Sequence, residues 1–286
     1  MISTEAKIAI PPGSSWYYGL LFCSRAKREA ANTVIRFDHE MKKIVNSGFE
    51  PAVAKIKLSW WLQEIDSIFS DRPQHPLGKS LMPVIQQYGL PAVWFQNIIQ
   101  GKIKTLEMTH FTTFEELISF FQYRAGLTLL LNKIFANHPQ ETSPEFAVLL
   151  NQCIQLIEMI RNLGKDNRQG LMYFPMDDFK DYRDGTEAAP YHLCSHYAKN
   201  AREYYHQALA VLPIKQRYAQ CSLIILAKIL LSLLDEMERD NFAVLEHRYS
   251  LTPLRKLWIA WRTHFLERKY KQKIGTQYGI NDITHI

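Results

Sequence analysis

Residues 153–166 read CIQLIEMIRNLGKD, a stretch with the apolar and polar spacing of an α-helix. Apolar side chains recur every three or four positions, and further apolar residues extend this surface around most of the helix, so we expect the helix to be buried. At about 100° per residue, its polar positions fall within a sector of about 80°. They are Gln155, Glu158, Asn162 and Asp166.

A polar column on a buried helix needs hydrogen-bonding partners. It forms either an internal structural network or the wall of a polar cavity, and the helix alone leaves both open. A second column lies on the predicted helix of residues 25–45, within about 100° of arc. It is cationic, and a solvated helix face is the ordinary interpretation of such a cluster. Its members are His39, Lys42, Lys43 and Asn46.

Helical periodicity dominates the rest of the chain, and no alternating pattern of period two predicts strands. We therefore predict an all-α fold with one domain over residues 1–286, including tails at 1–12 and 274–286. Proline and glycine separate the predicted helices. These span residues 25–45, 52–69, 75–88, 92–105, 114–135, 144–163, 192–212, 216–239 and 254–270. Residues 164–190 form a long polar connection, and loops of that length are often functional.

The composition is that of a well-packed globular protein, with 47% hydrophobic and 22% charged residues among 286. Its four cysteines show no paired spacing, which excludes a zinc knuckle and a disulfide-stapled scaffold. The longest apolar run, residues 221–234, is shorter than the roughly 20 residues that span a bilayer. We find no secretory signal and expect a cytoplasmic protein. A net charge of +6 favours anionic partners.

Several segments, in their order and spacing, resemble the squalene/phytoene synthase family, and specifically bacterial presqualene diphosphate synthases of the hopanoid pathway. The resemblance implies an isoprenoid-synthase-type helical bundle around a central cavity, and the head-to-head joining of two prenyl diphosphates, typically farnesyl diphosphates. The segments are SSWYY at 14–18, KLSWW at 57–61, HP at 75–76, YR at 123–124, residues 155–166 with YFP at 173–175, YYHQAL at 204–209 and SLTPLRKLWIAW at 250–261.

The family holds Mg²⁺ on two aspartate-rich motifs, because a departing diphosphate needs its charge neutralised by a cation that prefers carboxylate oxygens. By resemblance, the first motif, DDxxDE, falls on residues 42–47, which read KKIVNS and contain no carboxylate. In the second motif, DxxxD, Asn162 replaces the first aspartate and Asp166 is retained. Glu158 stands where an asparagine usually helps to hold metal. The resemblance leaves Glu158, Asn162 and Asp166 as a remnant metal side.

Two lysines in place of two carboxylates would repel a metal ion. At an effective dielectric constant of about 20, unit charges 4 Å apart interact by about 4 kcal/mol, and a divalent ion feels about twice that. We therefore expect a catalytically impaired family member without a cofactor, which binds a prenyl diphosphate or another lipid-like ligand, or acts as an assembly or partner protein beside a paralogue. The alternative is an active Mg²⁺-dependent prenyltransferase that condenses two farnesyl diphosphates.

If the ligand is a diphosphate, lysines can bind it directly as point charges. The candidate diphosphate-binding residues are Lys42, Lys43, Tyr123, Arg124, Gln155, Arg161 and Arg168.

A basic segment with interleaved tryptophans, residues 255–273, lies near the end of the chain. Nucleic-acid binding is one interpretation of such a pattern. A peripheral contact with a membrane surface is the better one, because the family's substrates and products are lipids. We therefore predict no nucleic-acid partner, and a cytoplasmic location with peripheral contact at the inner membrane surface.

Overall fold

The computed structural model describes residues 10–108, 110–138, 141–168, 173–180 and 189–277, and the regular structure in these ranges is helical. The all-α prediction is confirmed. The helices are α1 Ser15–Gly19, α2 Arg25–Asn46, α3 Pro51–Phe69, α4 Pro76–Tyr88, α5 Ala92–Glu107, α6 Phe114–Tyr123, α7 Gly126–Phe135, α8 Pro144–Arg168, α9 Met176–Lys180, α10 Ala189–Val211, α11 Ile214–Arg217, α12 Cys221–Arg239 and α13 Pro253–Gln277.

The packing centres on α8, which lies along α10 and also contacts α6, α7 and α12. Its apolar stripe is buried as predicted, since Leu156, Ile157 and Ile160 have no exposed surface. The apolar run of residues 221–234 lies within α12, whose side chains also enter the core. In the ranges that the structure describes, no helix is long and apolar enough to cross a membrane.

Some predicted boundaries are wrong. The helix predicted over residues 114–135 is broken into α6 and α7, and the one predicted over 216–239 into α11 and α12. The first break has a tertiary cause: α7 begins at Gly126, where an added Cβ would lie 2.3 Å from the carbonyl oxygen of Trp94. This close approach of α7 to α5 leaves Arg124 as the C-cap of α6.

The ends of the chain and the polar connection also differ from the prediction. Helix α13 continues to Gln277, into the tail expected from residue 274. The connection expected from residue 164 begins later, since α8 continues to Arg168, and it contains α9. Residues 1–9, 169–172, 181–188 and 278–286 lie outside the described ranges.

Gly164 shows why α8 does not end where its sequence suggests. A Cβ at this position would lie 2.6 Å from the carbonyl oxygen of Val244 and 3.1 Å from the Cα of Leu245. Because glycine has no side chain, the segment after α12 packs directly against α8 at this position. Gly164 does not end the helix. This contact places Val244 and Leu245 against α8 near its C-terminal end.

We predict that Gly164→Ala destabilises the protein, although alanine normally stabilises a helix interior by about 1 kcal/mol relative to glycine. The added methyl group would meet backbone atoms, and overpacking of this kind costs about 1–3 kcal/mol. Urea unfolding of Gly164→Ala beside Asn167→Ala, an exposed position on the same helix, measures the difference. A Gly164→Ala protein more stable than the unsubstituted chain would contradict the close approach.

Candidate functional site

A cavity of about 700 Å³ opens among α2, α5, α7, α8 and α12. Its volume lies within the roughly 300–1,000 Å³ of typical ligand pockets. Three members of the polar column, Gln155, Glu158 and Asn162, line it. The fourth, Asp166, lines a smaller pocket of about 130 Å³ that shares these three residues and Arg124 with the cavity. The polar column is thus a cavity wall.

Positive charge predominates among the residues that line this cavity. Among the described residues of the lining, six cationic side chains face two carboxylates, and this excess favours an anionic ligand. The cations are Lys42, Lys102, Arg124, Arg161, Arg248 and Lys256, and the carboxylates are Asp38 and Glu158.

A buried carboxylate, Asp38, lies between two of these cations. Its Oδ2 is 2.7 Å from the Nζ of Lys42, and its Oδ1 is 3.6 Å from the Nζ of Lys102. Burial alone would raise the pKa of Asp38, but the two ammonium groups outweigh it and hold the pKa well below its usual range. Asp38 therefore stays ionised and is already neutralised by protein cations.

Lys102 is a cation that titrates near neutral pH. Burial lowers the pKa of Lys102 to about 7, against the opposing attraction of Asp38 and with further lowering by the charges of Arg124 and Lys42. Part of the Lys102 population is thus neutral at pH 7, and a further anion in the cavity would favour its protonation.

Glu158, on the remnant metal side, has both carboxylate oxygens engaged. Arg161 donates from Nη1 to Oε1 at 3.0 Å, and Asn162 donates from Nδ2 to Oε2 at 3.3 Å. Burial raises the pKa of Asp166 to about 6, against the opposing charge of Lys165. Glu158 is thus occupied by hydrogen bonds, and Asp166 is protonated more readily than an ordinary carboxylate.

The donors present do not fit Mg²⁺ as the family's aspartate motifs would hold it. Asp38 is neutralised by lysines, Glu158 is hydrogen-bonded on both oxygens, and Glu158 is the only other carboxylate among the described residues that line the pocket of Asp166. Over the described part of the chain, no three His, Cys, Asp or Glu side chains converge into a cluster that could hold a metal ion.

The structure brings four of the predicted diphosphate-binding residues to the cavity. They are Lys42, Arg124, Gln155 and Arg161. A fifth, Arg168, lines a pocket of about 310 Å³ that shares Arg161, Asn162 and Arg248 with the cavity.

Two predicted residues lie elsewhere. The side chain of Lys43 is 74% exposed and pairs with Glu40, Nζ to Oε2, at 3.3 Å. Tyr123 is 46% exposed, and the Nζ of Lys104 lies 3.5 Å from its ring centroid. Adjacent positions on a helix point about 100° apart, so Lys42 and Lys43 do not face the same side.

The cavity also contains charged residues that sequence reasoning did not select: Asp38, Lys102, Arg248 and Lys256. Asp38 carried a usable signal, because residues four apart share a helix face and Asp38 precedes Lys42 by four. Lys102, Arg248 and Lys256 reach the cavity from three distant segments, and only tertiary packing brings them together.

A model of the squalene/phytoene synthase family matches residues 11–255, a range that includes every residue lining the cavity except Lys256. The chain belongs to the squalene/phytoene synthase family. The resemblance on which the sequence interpretation was based is thereby confirmed. The family's typical use of a divalent metal contrasts with the cationic donor set described above.

Relatives and solved structures agree with this membership. A phytoene synthase from Arthrospira platensis is 23% identical over 268 residues, covering 85% of each chain. A dehydrosqualene synthase solved with a ligand superposes with a TM-score of 0.78 at 16% identity, covering 90% of this chain and 92% of that one. A squalene synthase, HpnC, from Alicyclobacillus acidocaldarius superposes with a TM-score of 0.66 at 16% identity, covering 79% and 89%. The isoprenoid-synthase-type fold is thus confirmed.

Asp38→Asn is predicted to destabilise the fold by about 3–5 kcal/mol, because it leaves the buried Lys102 without its anion; the half-exposed Lys42 contributes less. Denaturant unfolding measures the loss. Adding Lys102→Met should recover a large part of it by removing one uncompensated charge. Glu29→Gln, in the exposed pair of Glu29 with Arg25, is the control and should change nothing measurable. An Asp38→Asn protein as stable as the control would show that the buried pairing has no energetic role.

Proposed function

We propose that this family member binds a prenyl diphosphate, or another lipid-like ligand with an anionic head group, without ionising it. One observation carries the proposal. By resemblance, Lys42 falls at the first position of the motif where the family has a metal-binding aspartate. Its ammonium group lies at the cavity, beside Asp38. Protein cations there take the place that a carboxylate-bound metal would occupy.

The head group would be held by Lys42, Lys102 and Arg124, whose charges act on Asp38, and by Arg161 and Arg248, which also line the neighbouring pocket of about 310 Å³. Guanidinium groups bind phosphate oxygens through two parallel hydrogen bonds, and ammonium groups act as point charges. Apolar residues of the same lining would contact the hydrocarbon chain. These are Trp16, Leu127, Ile154, Leu226 and Leu230.

Binding of this kind does not by itself accelerate a reaction. Fixed protein cations that stabilise the bound diphosphate and the departing diphosphate equally leave the barrier between them unchanged. The protein would therefore bind its ligand without converting it. Such a ligand-binding protein fits an assembly or partner role beside an active paralogue. The predicted cytoplasmic location, at the inner surface of a membrane, remains part of this proposal.

A second candidate function is an active prenyltransferase that condenses two farnesyl diphosphates with Mg²⁺. It is favoured by Glu158 and Asp166, two carboxylates that line one small pocket with Arg124. For them to bind a metal, Glu158 would first have to exchange its bonds with Arg161 and Asn162. That requirement makes this the weaker candidate.

Product formation separates the two candidates. Purified protein would be incubated with labelled farnesyl diphosphate, Mg²⁺ and NADPH, and the extract examined for presqualene diphosphate, squalene and related alcohols. We expect no turnover above a no-protein control, while a family member with intact aspartate motifs forms product alongside. Turnover comparable to that of the intact member would overturn the binding proposal.

Lys42 and Lys43 provide a matched pair of neighbouring lysines. We predict that Lys42→Met weakens binding of farnesyl diphosphate at least tenfold, because Lys42 lines the cavity, a loss of about 1.4 kcal/mol or more. Lys43→Met should leave the affinity within about twofold, because Lys43 is exposed to solvent and screened. Isothermal titration calorimetry measures both constants. Equal losses in the two variants would indicate a general charge effect rather than a cavity site.

Lys102 gives the binding a pH dependence of defined sign. With the pKa of free Lys102 at about 7, the ligand-free protein loses this proton as the pH rises, and an anionic ligand restores it. We predict that affinity falls between about pH 7 and 9, with proton uptake on binding at pH 8. Calorimetry in two buffers of different ionisation enthalpy detects the uptake. It should vanish in Lys102→Met, and persistence of the full uptake in that variant would refute the assignment.

A further inference from the structure

Helix α13 presents apolar side chains on two opposite faces. One face enters the core through Ile259, Ala260 and Thr263. The other faces solvent, although an exposed helix face is ordinarily polar. It carries large side chains: Leu254 is 80% exposed, Trp258 56% and Trp261 51%.

The solvent face forms a continuous band, here called the exposed stripe. Its residues fall within about 100° of arc, opposite the buried face. The rings of Trp261 and Phe265 are 4.7 Å apart. Phe22, also exposed, widens the surface, since its ring stacks on His264 at 4.4 Å. The exposed stripe consists of Leu254, Leu257, Trp258, Trp261 and Phe265.

Cations adjoin the exposed stripe. At the helical angle per residue, Arg262 and Lys269 lie beyond one edge, and Arg268 follows Phe265 within the arc near the other edge; all three are exposed. The acidic residue within α13, Glu267, faces the core, where Arg217 binds it from Nε to Oε2 at 2.7 Å. The surface thus has an apolar, aromatic centre and a cationic rim.

We propose that the exposed stripe docks this protein on the surface of an anionic lipid bilayer, with α13 lying in the plane of the interface. Large apolar side chains opposite a packed face, bordered by Lys and Arg, are the features by which amphipathic helices bind such surfaces. Tryptophan favours the headgroup level, and each nearby cation adds attraction to anionic lipid.

The charge of the rim disfavours a second copy as the occupant. In a two-fold dimer the same patch meets itself, so that Arg262, Arg268 and Lys269 would face like charges. A bilayer with anionic headgroups complements both parts of the surface.

Docking on this face also has a consequence for the cavity. Lys256, on the core side of α13, lines the cavity and donates from Nζ to the carbonyl oxygen of Gly13 at 2.9 Å. One helix therefore separates the ligand cavity from the bilayer. The docking inference does not depend on what the cavity binds, since it rests on the opposite face of the helix.

Vesicle co-sedimentation of the full chain tests the proposal. We expect binding to phosphatidylcholine vesicles that contain phosphatidylglycerol, at least tenfold weaker binding to phosphatidylcholine alone, and weakening with added salt. The double variant Trp258→Ser/Trp261→Ser should lose at least tenfold in affinity. Trp60→Ser removes an exposed tryptophan of α3, outside the exposed stripe, and serves as the matched control that keeps binding.

The variant Arg262→Gln/Arg268→Gln/Lys269→Gln should lose the preference for anionic vesicles, by about fivefold per cation removed. Quenching of tryptophan emission by brominated lipid in the unsubstituted chain needs no variant, and we expect it to disappear in Trp258→Ser/Trp261→Ser.

No sedimentation of the unsubstituted chain at low salt would overturn the proposal, and so would equal loss in Trp60→Ser. A dimer by analytical ultracentrifugation that the double variant converts to monomer, without vesicle binding, would instead assign the exposed stripe to self-association. Binding only to an acidic protein, with no vesicle binding, would assign it to a protein partner.

Discussion

The ionised carboxylate of Asp38, buried between the ammonium groups of Lys42 and Lys102, is the constraint on which the character of the site depends. Isolated charges in a protein interior are very costly, so the buried ammonium group of Lys102 requires an anion, which the half-exposed Lys42 shares. Asp38 supplies this anion, and the two lysines in turn balance its negative charge. A carboxylate held between two lysines attracts a metal ion weakly, and the cavity as a whole keeps a positive excess for an anion that enters from outside.

The helical bundle of this family can thus enclose a site with an excess of positive charge, opposite in sign to the carboxylates of the family's aspartate motifs. The helices that enclose the cavity depend on apolar packing, as in the fully buried stripe of α8, which lies on a different face of that helix from the polar column. On the proposed function, Lys42 takes the place of a metal-binding carboxylate at the cavity while the bundle keeps the family's fold. The fold agrees with that of the dehydrosqualene synthase while the donor set differs from an aspartate-rich one.

Local patterns in the sequence predicted the parts that depend on local periodicity. The burial of α8 and the shared direction of its polar column follow from helical spacing and were predicted. That the column lines a cavity rather than an internal network was one of two interpretations that the helix alone left open. Features set by contacts between distant segments were not predicted. Gly164 appeared to end a helix, but it admits the backbone of Val244. Lys43 was grouped with Lys42 because both are cationic, although 100° of rotation places it in solvent, and nothing near Lys102 in the sequence indicates its partner Asp38.

The most direct test of the central claim is the affinity of the purified protein for farnesyl diphosphate, measured by calorimetry in EDTA and again in excess Mg²⁺. If protein cations replace the metal, binding in EDTA is retained and Mg²⁺ changes the dissociation constant by no more than the modest weakening expected when a cation competes for the diphosphate. If binding disappears in EDTA and returns with Mg²⁺, the diphosphate is held through metal. That result would contradict the claim that the cationic side chains of the cavity bind it directly.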